Sequence, residues 1–439
     1  MSPHFIQYQK RWLWCVVLAA FSMSLAYSFY FRIAPMVDAR AYDNIALEIV
    51  RTGQYPADAI NRPGPAYEYF LAAIYAVFGH SYSAVWIIQA ILLAVTALLA
   101  FFISRAVFGS LWHPLIGLAA AAFVGFSPDL ISVSSMLMTE TLLIFLIAAA
   151  VFSFFRHLDS GQWRWLVSAA VFVSLAALTR GNVILLAAPI LLFFFWEKKW
   201  REGAVFAAVL IFCLLPWTVH NYRVYGEIKP FNASAGILYV GNHPGATGEL
   251  VIDYPMPPGV NPEAMSQLDF DNALGRAGAA FIRENPLEFI KLSFWRASIY
   301  FSFARPFAFW PHLEGLWRIA TVLASSLYSV LIFGLGIAGA VLALSRSAAP
   351  EGRSRPLALL GMLSTAPLTV LALIVETRYR FPAYPFLAVF AGFAVYCLFA
   401  RREFFVREVK KIAAVAGLLV ANAAFDVIRN FQRILERLF

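Results

Sequence analysis

Nine ionisable residues fall at or near the ends of long apolar runs: Asp38, Asp43, Arg62, Glu140, Arg180, Arg223, Glu376, Arg378 and Arg380. Placing a charge in hydrocarbon costs roughly 2.5–3.5 kcal/mol on insertion scales, so each needs a reason to be there. A single arginine is explained by snorkelling to the interface. Three or more acids with several arginines at one predicted boundary are better explained by a shared cavity. Its chemistry would be group transfer from a lipid-linked phosphate. A carboxylate takes the proton of an acceptor hydroxyl, and arginines grip the phosphate whose charge grows as it departs. Asp38 is the candidate base, and Tyr42 lies one turn further along the same helix face. Glu140 opens a later apolar run, where it would also suit the positive end of a helix. Arg378, Tyr379 and Arg380 share a short turn between two runs, with a salt bridge to Glu376 as the competing structural role. The lone His243 and His312 and the unpaired spacing of Cys15, Cys213 and Cys397 give no metal site or disulfide framework. A Gly-rich phosphate loop after a strand is absent from the sequence.

The elements that must position these residues follow from composition. The 439-residue chain is 61% hydrophobic and 13% charged, with a mean hydropathy of +0.71. A soluble domain carries about 25% charged residues, so this is an all-α polytopic membrane protein. Ten runs have span character, some of them short: 12–31, 82–108, 112–126, 139–155, 164–179, 182–196, 203–218, 318–344, 357–375 and 381–400. Lys and Arg outnumber Asp and Glu by 34 to 25, a net +9. That excess reads as basic cytoplasmic loops rather than as a nucleic-acid surface. With the N-terminus cytoplasmic, Arg105, Arg156, Arg164, Lys198, Lys199, Arg201, Arg353 and Arg355 share the cytoplasmic side. The nine candidates then fall on the exterior side, provided that 286–310, with Lys291, Arg296 and Arg305 spread through it, lies in the interface instead of crossing.

Four regions result: 1–218 with a first exterior loop at 32–81, a long exterior loop at 219–317, further spans over 318–400, and a basic cytoplasmic tail at 401–439. In the first loop Tyr42, Ile45, Ala46, Ile49 and Val50 form an amphipathic helical stripe that Gly53 stops, and 66–78 forms a second juxtamembrane helix. In the long loop Asn285-Pro286-Leu287-Glu288 marks a helix start. In the tail, 412–425 is short for an eleventh span. Its apolar face, Ala424, Val427, Ile428 and Phe431 onward, suggests a helix lying on anionic lipid.

Several segments together resemble the GT-C membrane glycosyltransferases, in the branch of protein O-mannosyltransferases and lipid A aminoarabinose transferases (glycosyltransferase family 39-like). They are VDARAYDNIALEIVRTGQY, NRPGPAYEYFLAAIYAVFG, SSMLMTETLL, LTRGN, PWTVHNYRVYG, YVGNHPGATG and ETRYRFPAYP, spread over most of 12–400. The resemblance implies a GT-C-like helix bundle. It also implies an inverting transferase that uses a polyprenyl-phosphate sugar donor and a periplasmic acceptor, in a bacterial inner membrane. Asp38 then matches the acid of the first loop, Glu140 an acid opening a later span, Arg62 a basic residue before the Pro-rich turn, and Arg378 with Arg380 a basic pair at the donor phosphate. Arg180, Tyr42 and Tyr379 would add phosphate or sugar contacts. Ala39 and Asn61 stand where many relatives carry further acids, so a divalent metal is compatible with the chain but not required by it. Two rivals remain. A lipid-linked oligosaccharide flippase would need repeats and mid-span charges, which the sequence lacks. An O-antigen-ligase-like enzyme would prefer a pyrophosphate donor.

Overall fold

The computed structural model describes residues 3–59, 64–230, 234–251, 253–304, 312–345 and 353–431, with side chains from Gln9 onward. Arg62 lies outside the described residues, as do Arg305 and the tail beyond 431. The protein is all-helical as expected. Its only strand-like pairing among the described residues is one parallel bridge between Glu249 and Val375.

The N-terminal half runs α1 (Pro3–Phe31), α2 (Asp38–Thr52), α3 (Ala66–Phe78), α4 (Tyr82–Phe108), α5 (Pro114–Gly125), α6 (Pro128–Val133), α7 (Thr139–Ser160), α8 (Trp163–Thr179), α9 (Ala187–Trp196) and α10 (Trp200–Tyr225). The long loop holds α11 (Ile237–Gly241), α12 (Gln267–Glu284) and α13 (Pro286–Phe301). Then follow α14 (Gly315–Leu344), α15 (Ser354–Leu371), α16 (Tyr384–Ala400), α17 (Arg402–Arg407) and α18 (Val409–Arg429). Every predicted span is helical. Among the described residues seven helices have the length and hydropathy to cross a bilayer, and shorter apolar helices such as α5 and α8 fill the bundle between them. The core is made by α4, α5, α7, α8, α14 and α16, with Phe101, Phe154, Phe333 and Phe390 fully buried.

The first loop folds as its pattern demands. α2 buries Ala39, Tyr42, Ile45, Ala46 and Ile49, while Val50 at the edge of the stripe stays exposed. Gly53 ends the helix at φ +75°, donating its N–H to the carbonyl of Ile49. α3 covers the expected 66–78. At the other end of the long loop, Pro286 and Glu288 open α13, but Asn285 does not cap it. Its side-chain amide turns back to the carbonyl of Phe281 and closes α12 instead.

The described part of the tail forms a longer helix than the apolar run 412–425 alone indicates. α18 is one of the seven helices of spanning length. It starts where Ser345, at the end of α14, meets Glu408 at 2.5 Å, and rises along α14 to α13. There Asn422 donates to the carbonyl of Ser298 at 2.9 Å and the Arg429 guanidinium lies over Trp295. The apolar run looks short only because Lys410, Lys411, Asp426 and Arg429 sit at its ends, and long basic side chains snorkel there. Asp426 is instead buried, with the Asn430 amide on its carboxylate at 3.1 Å.

Candidate functional site

Asp38, Glu140, Arg180, Arg378 and Arg380 sit where elements begin, end or turn. Asp38 is the first residue of α2 and Glu140 the second of α7, so both carboxylates lie at positive helix ends. Arg180 caps the C-terminus of α8 in extended conformation, ahead of a 3-10 turn at Gly181–Leu186. Arg378, Tyr379 and Arg380 lie on a second 3-10 turn, Thr377–Ala383, that leads into α16. Just before Asp38, Val37 holds φ +48°, an uncommon conformation for a β-branched side chain.

These breaks meet at one end of the bundle. Arg378 reaches across some 340 positions of sequence to Asp38, Nη2 to Oδ2, at 3.4 Å. Its Nε is 2.6 Å from Glu376 and 3.9 Å from Glu140. Glu140 is fully buried and also binds Arg180 at 3.2 Å. A buried carboxylate is tolerated only when paired, and here it holds two guanidiniums side by side against their mutual repulsion. The Asp38 side chain is 37% exposed and that of Arg378 15%, so the outer half of the cluster meets solvent. Tyr379 lies under both arginines, its ring 4.7 Å from the Arg180 guanidinium carbon and 5.9 Å from that of Arg378. Tyr42 forms the floor, 4% exposed and edge-on to Tyr67 at 5.4 Å. Burial, and then the negative charge of Asp38, push its phenol above the usual tyrosine range, so it remains a neutral donor.

Arg180 and Tyr379 also wall a cavity of about 130 Å³. Its sides are apolar. Leu143 and Ile147 come from α7, one and two turns beyond Glu140, and face Val183, Ala366 and Phe386. That volume approaches the ~150 Å³ of a dry cavity known to accept benzene. The arrangement is therefore a charged mouth over a hydrocarbon-lined throat, suited to a ligand with an anionic head and an apolar tail.

The residues singled out in the sequence divide. Asp38, Glu140, Arg180, Arg378 and Tyr379 converge, with Tyr42 beneath them. Arg380 does not join them, and this corrects its expected place at a donor phosphate. Residues two apart on a 3-10 turn diverge by about 120°. Arg380 points into the bundle at 1% exposure, donating to the Ser302 carbonyl at 2.9 Å and to Ser329 Oγ at 3.1 Å, over Phe333. Asp129 interacts with it electrostatically and is held by Ser325 and Tyr384. Asp43 is equally structural: Tyr75, His80 and Tyr82 all bind its carboxylate, tying α2 to α3 and α4. Arg223 is exposed at the end of α10. Arg62 lies outside the described residues, but the neighbouring Gly64 packs so tightly on Leu178 that a Cβ there would meet its carbonyl oxygen at 2.0 Å. Gly64 is thus seated against Leu178, two residues from Arg180 in the chain.

Glu376 joins the cluster in the bridging position that the sequence allowed as a structural alternative. Asp129 and Arg296 carry roles that sequence reasoning missed. Among the described residues no three His, Cys, Asp or Glu side chains are grouped to hold a metal ion. Asp38, Glu140 and Glu376 are each engaged by Arg378, a poor setting for a divalent cation.

Known proteins share this fold. Residues 61–221, which include Glu140 and Arg180 and run into α10, match the family described as dolichyl-phosphate-mannose-protein mannosyltransferase. The archaeal oligosaccharyltransferase AglB of Archaeoglobus fulgidus, in complex with an inhibitory peptide and a dolichol-phosphate, superposes with a TM-score of 0.56 at 18% identity, over 95% of this chain and 55% of that one. ArnT of Cupriavidus metallidurans, bound to undecaprenyl phosphate, superposes with a TM-score of 0.54 at 15% identity, over 93% of this chain and 64% of that one. No curated protein matches the sequence. The chain has the fold of the GT-C membrane glycosyltransferases and is a multi-pass membrane protein. It spans between half and two thirds of the length of these two structural neighbours.

Proposed function

We propose that this chain transfers a sugar, with inversion, from a polyprenyl-phosphate-linked donor to a lipid, glycan or protein acceptor on the periplasmic side of a bacterial inner membrane. The carrying observation is the contact between Asp38 and Arg378, joined through Glu140 to Arg180, which with Tyr379 walls the apolar cavity. Support comes from two neighbours of the same fold, one in complex with a dolichol-phosphate and one bound to undecaprenyl phosphate.

In the proposed step the acceptor hydroxyl lies on Asp38. Its oxygen bonds to the anomeric carbon on the face opposite the phosphate, and its proton passes to the Asp38 carboxylate. The bond between the anomeric carbon and the phosphate oxygen breaks, and its electrons leave with the polyprenyl phosphate. Arg378 and Arg180 stabilise the charge gained there, with Arg62 as a further phosphate contact. Glu140 keeps the two arginines ionised and together, while Tyr42 and Tyr379 shape the sugar-facing walls. A separation of 3.4 Å between Asp38 and Arg378 leaves no room for a sugar, so donor and acceptor must part them. The incoming phosphate replaces Asp38 and Glu376 as the anion on Arg378.

The test is Asp38→Asn, assayed with radiolabelled lipid-linked sugar in membranes. Transfer falls by about 10²–10⁴-fold, the usual contribution of a general base, while expression and thermal unfolding stay at wild-type values. Undiminished transfer removes Asp38 from the mechanism.

A further inference from the structure

Arg296, on α13, is fully buried, yet no carboxylate lies within ion-pair distance among the described residues. Its charge is met by oxygens at two helix ends. Nη1 donates to the carbonyl of Leu371, the last residue of α15, at 2.7 Å. Nη2 donates to the carbonyl of Gly241, the last residue of α11, and to Asn242 Oδ1 at 2.9 Å. Carbonyls at a helix C-terminus are its negative pole, so two poles turned on one guanidinium offset much of the cost of burying it.

The segments joined in this way are not arbitrary. Residues 371–376 lead directly into Glu376 and Arg378. Residues 241–249 wrap around them. The Asn242 amide donates to the Ala372 carbonyl at 2.9 Å, and Val375 donates its N–H to the Gly248 carbonyl at 3.0 Å. Gly241 lies against Leu373 so closely that a Cβ would meet that carbonyl oxygen at 1.8 Å. Gly248, at φ +83°, passes over the Arg296 side chain, where a Cβ would come within 3.1 Å of Cγ. Leu373 and Ile374 from the second segment, with Ile237 at the start of α11, wall the apolar cavity. The YVGNHPGATG stretch is therefore a clasp, and Arg296 is its pin.

We propose that Arg296 is a positioning residue for the lipid-phosphate donor: by pinning 241–249 onto 371–376 it sets where Glu376 and Arg378 stand and closes the cavity wall. It touches neither the acids nor the arginines of the site. A guanidinium suits this place because its planar fork reaches two diverging carbonyls at once, which an ammonium point charge does not. The proposal rests on the transferase reading for its kinetic part and on geometry alone for the clasp.

Two measurements on the full-length protein separate those parts. Ala246→Cys, buried inside the clasp, is introduced into a Cys15→Ser background, and its labelling by a membrane-impermeant maleimide reports opening. Arg296→Met raises the labelling rate about tenfold or more, and Arg296→Lys raises it less. In transfer assays Arg296→Met raises KM for the lipid-linked sugar about tenfold while kcat stays within about threefold, and Arg296→Lys recovers part of the loss. Should Arg296→Met fail to accumulate, Asn242→Ala, which removes bonds to both Arg296 and Ala372, carries the same expectations. Labelling at the wild-type rate in these variants overturns the clasp. Faster labelling with unchanged kinetics, or a fall in kcat at constant KM, overturns the positioning role. If the wild-type protein transfers no lipid-linked sugar at all, the proposed function fails, and labelling still decides the clasp.

Discussion

Arg378 and Arg380 leave one short turn in different directions and end in different surroundings. Arg378 stands among Asp38, Glu376 and Glu140, at a boundary where its side chain is 15% exposed and its anionic partners can be exchanged for a ligand. Arg380 ends at 1% exposure between a carbonyl, a serine and a phenylalanine ring, within the field of Asp129. Both are charges beside hydrocarbon, but only one has been left partners that a phosphate can displace. The contrast teaches that a basic pair close in sequence need not act as a pair. One arginine anchors the turn so that the other can be presented from it.

Substitutions can break or sharpen that contrast. The largest effect is expected from Arg380→Met, which removes the buried cation in the field of Asp129 together with its bonds to Ser302 and Ser329, and lowers stability by about 3–5 kcal/mol. Thermal unfolding in detergent measures it, and a variant as stable as wild type would erase the distinction between the two arginines. Arg378→Gln follows, with transfer reduced about 10²–10³-fold, as for loss of one transition-state charge contact, and wild-type unfolding. If that protein unfolds as early as the Arg380 variant, Arg378 is a structural residue too. The smallest effect is Val37→Gly. Val37 is 74% exposed and held at φ +48°, so glycine relieves strain of about 1 kcal/mol with little lost packing. A raised unfolding temperature with weaker transfer would show that the strain serves to present Asp38. A lowered unfolding temperature would remove the strain from the account.

Much of the fold was legible because its signals are local. Twenty-odd apolar residues in a row, or a stripe at i, i+3, i+4 and i+7, dictate helices whatever surrounds them, as α4 and α2 illustrate. Gly53 ended α2 for a reason contained in its own backbone. The site was legible in part. Asp38, Glu140, Arg180 and Arg378 drew notice as charges that hydrocarbon penalises, and that penalty is a property of the residue type. Four things were hidden. The divergent headings of Arg378 and Arg380 depend on a 3-10 turn that residue types alone do not announce. Arg296 looked like an argument against crossing, because its partners are backbone carbonyls that carry no sequence signature. Asp129 drew no notice, because the groups that hold it, Ser325 and Tyr384, come from distant helices. In α18 the flanking charges disguised how far the helix extends.

Composition and periodicity by themselves determined that this chain lives in a bilayer, where its helices run, and which charges needed an explanation, because those energies are set within a few turns of chain. Tertiary structure alone decided that Asp38 meets Arg378, that Glu140 holds two arginines together, and that a loop from the middle of the chain clasps the turn near its end. Contacts between residues hundreds of positions apart depend on how helices pack, and no local preference encodes that.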